Sequence, residues 1–595
     1  MMFLPKILVR EGDEDQGSDR RIGPPNEPPI TDDKAHPTSN VEAHDSDSSD
    51  DVQEGVREIE ATVKVWSSIH IYVAYALIWL VYFADSMHSS VGYTLTSYVT
   101  SDFSVHGLTP TTNVLSQLIG GLFKLPLAKI LDIWGRPQGV ALTVFLMVVG
   151  LVMMAACQNI ETYAAAQVFY WIGFNGVAYS LQVFTADTSE LKNRAFVFAF
   201  INSPFIISTP ISAEVANAYV NKGAFSWRWV YGIFCIVVPV VTAPIFFLFL
   251  WNHRKAKRMG VLQPKKSSGR TTMESIKHYC VEFDAFGLLL AAAGMALFLL
   301  PFNIYSYQDE GWRSPMIICM LVFGVVLLVA FALYEKHLAP IKFIPYELLM
   351  DRTIIGACIT VTVAFVSFFI WSAMFPSFLQ VVTGASLKQA TWVGRIYNMV
   401  SCAWGLVVGM LIRWSGRFKW LALYVGVPMQ ILGVGLMVHF RQPGRDLGYI
   451  IMTQIFIAVA GGTMVICEEI AIMAVVAHKH VAVVLAMYAM FSSIGGAIGS
   501  TLATAIWNGV FPSRLQEYLP AETKKDAPLI VANLTRQLSY PSGSPTGMAI
   551  QQSYGEAQRI MLASATALLV ITILSVAMWR DIPVKDFKQR KGAMS

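Results

Sequence analysis

Long apolar runs alternate with short polar connections along most of the chain, from residue 67 onward. Most runs are about 20 residues long when Gly, Ser and Thr are accepted inside them, and an α-helix of that length crosses the ~30 Å hydrocarbon layer of a bilayer. Fourteen such segments, numbered 1 to 14, cover residues 67–91, 110–131, 139–157, 162–185, 195–219, 229–251, 284–303, 315–334, 353–378, 389–412, 419–439, 448–476, 481–508 and 558–579. The pattern predicts an all-α membrane protein with 14 transmembrane helices, and the even number places both termini on one side.

The composition supports a membrane protein and narrows its function. Of the 595 residues, 54% are hydrophobic and 14% are charged, whereas a soluble domain carries about 25% charged residues. An ordinary soluble enzyme is therefore excluded, and the net charge of +4 is too small to indicate a nucleic-acid partner. The seven cysteines form no CxxC pair and the chain has no glycine-rich P-loop, so we expect no metal site, no cofactor and no use of ATP.

The polar parts of the chain predict its orientation. Residues 1–62 are rich in Asp, Glu, Ser and Pro and are predicted to form a disordered acidic tail. Lys and Arg concentrate in the connections after even-numbered segments, including a basic loop at 252–283 and a tail at 580–595. Because excess Lys and Arg mark cytoplasmic loops, both termini are predicted to be cytoplasmic. The first ten residues lack the apolar core of a cleavable signal peptide, so segment 1 is expected to direct insertion.

A short element ending in Gly-Arg occurs twice, once after segment 2 and once after segment 10. The repetition predicts two parallel six-helix halves, at 63–251 and 353–579, with an inserted helix pair at 284–334. Parallel repeats about an axis normal to the membrane are a transporter design. The repeated positions are Asp132, Gly135 and Arg136 in the first half and Arg413, Gly416 and Arg417 in the second.

The first of these elements, D-x-x-G-R, resembles the loop motif of the major facilitator superfamily, whose acidic and basic groups latch neighbouring helices in one conformation. Ala128 and Ile133 stand where that motif usually has a glycine and a basic residue. More specific strings extend over most of the chain and resemble the fungal siderophore-iron transporters. They are Tyr82 to Ser86, Ala186 to Ser189, Asn193 to Ala195, Trp227 to Gly232, Asp351 to Thr353, Phe491 to Gly499 and Tyr554 to Ala557.

The resemblance implies the major facilitator fold and a proton symporter that imports ferric hydroxamate siderophores across the plasma membrane. Its partners would be the ferric siderophore, protons and the lipid membrane, and we expect a monomer. Ser208 to Pro210 and the pair Glu468 and Glu469 depart from the family pattern, so substrate or coupling can differ. A 14-helix drug:proton antiporter and a transporter-like sensor stay open as alternatives, as does an endosomal or vacuolar membrane.

Ionisable residues inside apolar segments are candidates for proton coupling, because each costs about 2.5–3.5 kcal/mol to insert. Asp85 and His88 are three residues apart and share a helix face, where they can hold and pass a proton. A wet polar cluster near the outer surface is the alternative. Glu214 lies where segment 5 is expected to bend, and a role in helix packing is an equal alternative there.

Two adjacent acids, Glu468 and Glu469, lie in segment 12. They point about 100° apart around a helix, so at most one can face a central cavity squarely. Their repulsion favours proton binding by one of them. A hydrogen-bonded packing pair is the alternative.

A ferric hydroxamate is large and nearly neutral, so we expect aromatic faces and amide hydrogen bonds to recognise it. Aromatic residues in membrane helices also face lipid or the protein core, and Arg395 can serve a structural ion pair instead. Lys124, near the end of segment 2, is expected to snorkel to the surface. The candidate substrate-binding residues are Tyr82, Tyr93, Phe365, Phe369, Trp371, Trp392, Arg395 and Tyr397.

The longest predicted external connection, at 509–557, exceeds an ordinary tight loop and is expected to be functional. It carries a glycosylation sequon at Asn533, although such tripeptides also arise by chance. Tyr554 lies just before segment 14, so we expect its ring to meet the siderophore at the cavity mouth. A flexible glycosylated spacer is the alternative.

Overall fold

The computed structural model describes residues 66–102, 111–133, 135–189, 191–221, 227–260, 271–282, 284–305, 308–340, 346–476 and 480–584. Within these ranges the chain is helical and no β-strand occurs. Residues 1–62 and most of the tail at 580–595, both assigned from the sequence, lie outside the described ranges.

Each predicted segment is covered by one to three consecutive helical elements, which we label together as α1 to α14. The first half contains α1 (Ser68–Asp102), α2 (Thr111–Leu122 with Lys124–Ile133), α3 (Arg136–Ala156), α4 (Ile160–Thr188), α5 (Leu191–Asn202 with Pro204–Asn221) and α6 (Trp227–Arg258). The inserted pair is α7 (Ala285–Leu299) and α8 (Pro315–His337). The second half contains α9 (Arg352–Ser372 with Phe375–Val381), α10 (Leu387–Ser415), α11 (Lys419–Leu421, the π-turn Ala422–Gly426 and Val427–Phe440), α12 (Leu447–Ala474), α13 (Val481–Tyr518) and α14 (Pro545–Ala577).

Eleven of the described helices are long and apolar enough to cross a membrane. The helix α7 is apolar but shorter. An all-α membrane protein is therefore confirmed, and the count of 14 transmembrane helices stays a prediction.

Local sequence explains where several helices begin and end. The Asn159 side chain accepts a hydrogen bond from the Thr162 amide at the start of α4, and Ser386 forms a reciprocal capping box at the start of α10. Gly135 and Gly416, the glycines of the repeated element, both have positive φ, at 102° and 72°. Glycine adopts such angles without a steric penalty, which explains why both copies of the element contain it.

The two halves meet along two long contacts. The helix α2 packs along α13, and α5 packs along α10. If segments 1 to 6 correspond to segments 9 to 14, α2 corresponds to α10 and α5 corresponds to α13. The α2–α13 and α5–α10 contacts are then equivalent, as a twofold relation between the halves requires. Gly409 of α10 allows close approach to the backbone of Phe196 in α5, because a side chain there would collide with it.

The inserted pair lies beside this body. The helices α7 and α8 pack against each other, and α7 also contacts α2 and α13. Tyr334 of α8 donates a 2.9 Å hydrogen bond to Asp284 at the start of α7. Most other side chains of α8 are apolar and exposed, as expected for a helix that faces lipid.

The helices α13 and α14 extend into the predicted external loop. The helix α13 continues to Tyr518 through Pro512, and α14 begins at Pro545. The connection is thus shortened to residues 519–544, which contain the short helices Lys524–Asp526, Ala527–Ala532 and Leu534–Leu538. The external region at 509–557 stays a prediction, and its two ends are helical because α13 and α14 continue into it.

Candidate functional site

A hydrogen bond joins the two halves close to the predicted cytoplasmic side. The Nε2 atom of Gln182 in α4 donates to Oε1 of Glu469 in α12 over 2.6 Å. One turn away, the hydroxyl of Tyr179 donates to the carbonyl of Ala482 in α13 over 2.7 Å. Two donors on one face of α4 therefore bind the second half, one through a carboxylate and one through the backbone.

The neighbouring acid points elsewhere, as the helical angle between adjacent residues predicts. Oε2 of Glu468 accepts a 2.8 Å hydrogen bond from the hydroxyl of Tyr488 in α13. Its Oε1 atom has no hydrogen-bond partner within the described part of the chain. Glu468 thus lies inside the second half, whereas Glu469 lies between the halves.

Asp85 and His88 are both buried in α1, with 6% and 2% of their surfaces exposed. Nδ1 of His88 shares a 2.7 Å hydrogen bond with the hydroxyl of Tyr170 in α4, and its ring packs edge-on against Phe234 of α6. Burial of both side chains disagrees with a wet cluster at the protein surface. The predicted relay is not formed as a hydrogen-bonded Asp85–His88 pair, because the His88 nitrogen that is bonded faces Tyr170.

Tyr82 lies in α1, about one turn before Asp85. Its hydroxyl donates to the carbonyl of Ala178 in α4 over 3.2 Å. Asp85 and Glu469 both interact electrostatically with its phenol. We refer to Tyr82 and Asp85 of α1, Gln182 of α4 and Glu469 of α12 as the central polar group.

The predicted aromatic residues of α9 and α10 lie together. Phe368, which the sequence did not single out, connects them, because its ring centroid lies 5.0 Å from that of Trp371 and 5.2 Å from that of Tyr397. Phe369 packs against Phe368 at 5.4 Å. Phe365, one turn earlier, lies 6.4 Å from both Phe368 and Phe369. These rings form an aromatic wall in the second half.

A buried cation fixes the end of this wall. Arg441, at the end of α11, donates to the carbonyl of Trp371 and stacks on the ring of Phe375 at 4.1 Å. Between them α9 is interrupted at Met374, whose φ of 55° is unusual for a non-glycine residue. Such strain persists only where its surroundings enforce it, and Arg441 supplies contacts on both sides.

On the predicted outer side a second set of contacts joins the halves. Glu214 of α5 forms an ion pair with Lys388 of α10, and Arg395 of α10 donates to the carbonyl of Ser89 in α1. Nζ of Lys388 also lies 5.1 Å from the ring centroid of Trp392.

Three expectations change here. The side chain of Glu214 is 55% exposed and ion-paired, so it is not the buried proton site expected from its segment. Trp392 is 44% exposed and does not join the aromatic wall, because it lies on the face of α10 that carries Lys388. Arg395 makes a structural contact between the halves. The side chain of Tyr93 lies outside the described residues.

The two repeated Gly-Arg elements bind different partners. Arg136 forms a 2.9 Å ion pair with Asp187 at the end of α4, and both side chains are 9% exposed. Arg417 instead forms a 3.1 Å ion pair with Asp581 after α14. The side chain of Asp132 is outside the described residues, and Arg413 is half-buried near the end of α10. The two copies of the element therefore share the glycine turn, but their arginines bind different partners.

Sequence reasoning missed Asp187, although the string Ala186 to Ser189 contained it. The same region contains Arg194, only 2% exposed, which donates to the carbonyls of Ala186 at 2.8 Å and Ser189 at 3.0 Å. Its guanidinium also lies 3.7 Å from the sulfur of Met473 in α12. The turn between α4 and α5 thus packs against the second half.

Tyr554 does not lie at a cavity mouth. Its side chain is fully buried, its hydroxyl donates to Gln537 over 2.7 Å, and its ring packs 4.9 Å from both Trp507 and Phe511. The expected position before the helix is wrong because α14 begins at Pro545, which puts Tyr554 inside it. Contact of Tyr554 with substrate stays a prediction.

Two further expectations concern single polar residues. Asn533 caps the helix Leu534–Leu538, accepting a 3.2 Å hydrogen bond from the Arg536 amide. Its glycosylation stays a prediction. Lys124 is only 7% exposed, so its expected snorkelling to the surface is wrong. It follows directly on the break between the two parts of α2.

Similarity to known proteins extends over nearly the whole chain. A sequence profile of the Major Facilitator Superfamily matches residues 74–310. The chain is 55% identical over 552 residues to MFS siderochrome iron transporter 1 of Ajellomyces capsulatus, covering 93% of each protein. It is 42% identical over 578 residues to MFS siderochrome iron transporter D of Aspergillus fumigatus, covering 97% of this chain and 96% of that one.

Solved structures support the fold. A POT family transporter in complex with a thioalcohol-conjugated peptide superposes with a TM-score of 0.52 at 12% identity. The match covers 86% of this chain and 98% of that chain. At such low identity the likeness shows a common fold and nothing about substrate.

Proposed function

The chain belongs to the siderophore-iron transporter family of the major facilitator superfamily, and from this membership we propose that it imports ferric hydroxamate siderophores together with protons. It is a transporter and not an enzyme. The observation that carries the substrate class is the 55% identity to a siderochrome iron transporter across 93% of both chains. Iron enters as cargo, already coordinated by the siderophore, so the protein needs no iron ligands of its own.

Alternating access supplies the transport step. The halves are joined on the predicted cytoplasmic side through Gln182 and Tyr179, and on the predicted outer side through Glu214 and Arg395. A central cavity opens to one side when the contacts of that side break and those of the other side persist. Each set is small and polar, so it can form and break during a transport cycle.

The central polar group supplies the coupling sites of this proposal. Asp85 of the first half and Glu469 of the second are buried carboxyl groups, and both interact electrostatically with Tyr82. A carboxyl group that is buried in one conformation and hydrated in the other differs in proton affinity between the two. Protons bound from outside with the siderophore are released to the cytoplasm when the group becomes hydrated there.

Recognition of the siderophore falls to the aromatic wall and to Tyr82. The rings of Phe365, Phe368, Phe369 and Tyr397 are half-buried, which leaves part of each ring available to a ligand. Aromatic faces suit a bulky, nearly neutral complex better than a charged pocket does. Trp371 is almost fully buried and supports the wall from behind.

The proposal also includes the location and topology. Excess Lys and Arg after even-numbered segments favour cytoplasmic termini, with the connection at 519–544 outside. A plasma-membrane location follows from a role in iron acquisition. A monomer is sufficient, because the proposed site is formed by the two halves of one chain.

Uptake of radioiron-labelled siderophores tests the proposal. The chain is expressed in cells without other siderophore carriers, and a panel of ferric hydroxamates is compared with the same ligands free of iron. We expect saturable accumulation of at least one ferric complex. No uptake of any complex, together with increased resistance to apolar drugs, would instead identify a drug antiporter, and a signal without any flux would identify a sensor.

A further inference from the structure

We propose that Gln182 is the positioning residue through which protonation of Glu469 controls opening of the cytoplasmic side. The inference rests on the proposed proton-coupled import. Its structural basis is the hydrogen bond across the two halves, which links residues 287 positions apart in sequence. This 2.6 Å hydrogen bond joins an amide of one half to a carboxyl group of the other. It therefore depends both on the charge of Glu469 and on the relative position of the two halves.

The hydrogen bond from Gln182 is the principal polar contact of Glu469. In the described part of the chain no Lys or Arg forms an ion pair with Glu469. Arg194 contacts Met473, one turn later in α12. The other titratable groups that face this region are Tyr82 and Asp85 from α1, Glu468 from α12 itself, and Tyr488 from α13.

The strength of the bond depends on the charge of Glu469. A hydrogen bond from an amide to an ionised carboxylate is roughly twice as strong as one to a neutral group. With Glu469 ionised, Gln182 holds α4 against α12 and keeps the cytoplasmic side closed. A proton that reaches Glu469 from the outer side weakens the contact, so the halves can separate on the cytoplasmic side.

The same contact completes the cycle. Once the cytoplasmic side opens, Gln182 moves away with α4, and water takes its place beside Glu469. The proton then leaves the Glu469 carboxyl group for cytoplasmic water, which restores the ionised form. The bond re-forms with the ionised carboxylate and closes the side again, so the empty carrier returns without a proton.

A matched pair of variants tests this role. Gln182→Met removes the amide at nearly constant volume, and Tyr179→Phe removes the neighbouring bond from the same helix to the same half. We expect the cytoplasmic side of Gln182→Met to open without protonation of Glu469. This should lower gradient-driven accumulation by about fivefold or more and flatten the pH profile of uptake. Tyr179→Phe should keep the wild-type pH profile, because its acceptor is a backbone carbonyl.

Exchange and double substitution separate coupling from folding. Exchange of labelled for unlabelled siderophore at equal concentrations needs no net proton movement, so Gln182→Met should retain it. In the background of Glu469→Gln, which cannot ionise, Gln182→Met should cause no further change in pH dependence. If Gln182→Met does not reach the membrane, Gln182→Leu is measured in its place.

Three outcomes would each overturn a specific claim. A wild-type pH profile and full accumulation in Gln182→Met, or in Gln182→Leu where that replaces it, would refute the role of Gln182 while leaving proton-coupled import intact. Uptake by the wild-type protein that does not depend on the proton gradient would refute the proposed coupling itself. A flattened profile in Tyr179→Phe would also refute the inference, because any bond between the halves would then suffice.

Discussion

Arg136 and Asp187 form a 2.9 Å ion pair that ties the loop after α2 to the end of α4, with both side chains 9% exposed. Such a pair is costly to bury and costlier to break, since removing one partner leaves an uncompensated charge. It lies next to Arg194, whose guanidinium contacts Met473 of the second half. The pair therefore positions the predicted cytoplasmic contact between the halves.

The first prediction concerns this pair. Arg136→Ala should destabilise the protein by about 3–5 kcal/mol, because it removes one member of a buried ion pair. Thermal unfolding of the purified protein measures the loss. The exchanged variant, Arg136→Asp with Asp187→Arg, should recover part of the stability, and equal stability of the single variants and the wild type would contradict the assignment.

A second prediction concerns Asp85. Asp85→Asn should abolish accumulation of the ferric siderophore against a gradient, because the amide cannot take up a proton at this buried position. Surface amount and exchange of labelled for unlabelled substrate should remain near wild type. Undiminished accumulation in Asp85→Asn would remove Asp85 from the coupling sites and leave Glu469.

The third prediction concerns the outer contact between Glu214 and Lys388. Both side chains are more than one third exposed, at 55% and 39%, so Lys388→Ala should change stability by no more than about 1 kcal/mol. A disulfide formed by Glu214→Cys with Lys388→Cys should nevertheless stop uptake, because the outer side can no longer open. Reduction should restore it. Full uptake by the oxidised protein would show that this contact does not need to break.

The fourth prediction concerns Tyr554. Tyr554→Ala leaves a cavity beside Trp507 and Phe511 and should cost about 3–5 kcal/mol. Tyr554→Phe keeps the ring and loses the hydroxyl, whose bond to Gln537 is worth about 1 kcal/mol. Thermal unfolding should rank the two variants in this order. The apparent affinity of Tyr554→Phe for siderophore should equal that of the wild type, and a weaker affinity would return Tyr554 to the binding site.

The positions of the membrane helices were predictable, because an apolar run of about 20 residues has few alternatives to a helix in a bilayer. The repeated turn was predictable as well, since Gly135 and Gly416 both need a positive φ that glycine tolerates. The divergence of Glu468 and Glu469 followed from helical geometry alone. These features depend on local sequence.

The contacts that join the halves were not predictable in the same way. Gln182 is one neutral polar residue in α4, and nothing local indicates that it faces Glu469, which lies 287 positions away. Glu214 and Trp392 were misplaced because their outward faces depend on how α5 and α10 rotate against each other. Tyr554 was misplaced because the start of α14 at Pro545 depends on capping by Ser544, which a hydropathy pattern does not detect.

Simultaneous recording of siderophore uptake and external pH tests the central claim most directly. Cells or vesicles that contain the protein receive a labelled ferric hydroxamate while external pH is monitored in weak buffer. We predict that uptake and external alkalinisation begin together, and that both stop when a protonophore collapses the gradient. Accumulation of the siderophore that continued undiminished after collapse, without any change in pH, would contradict proton-coupled import.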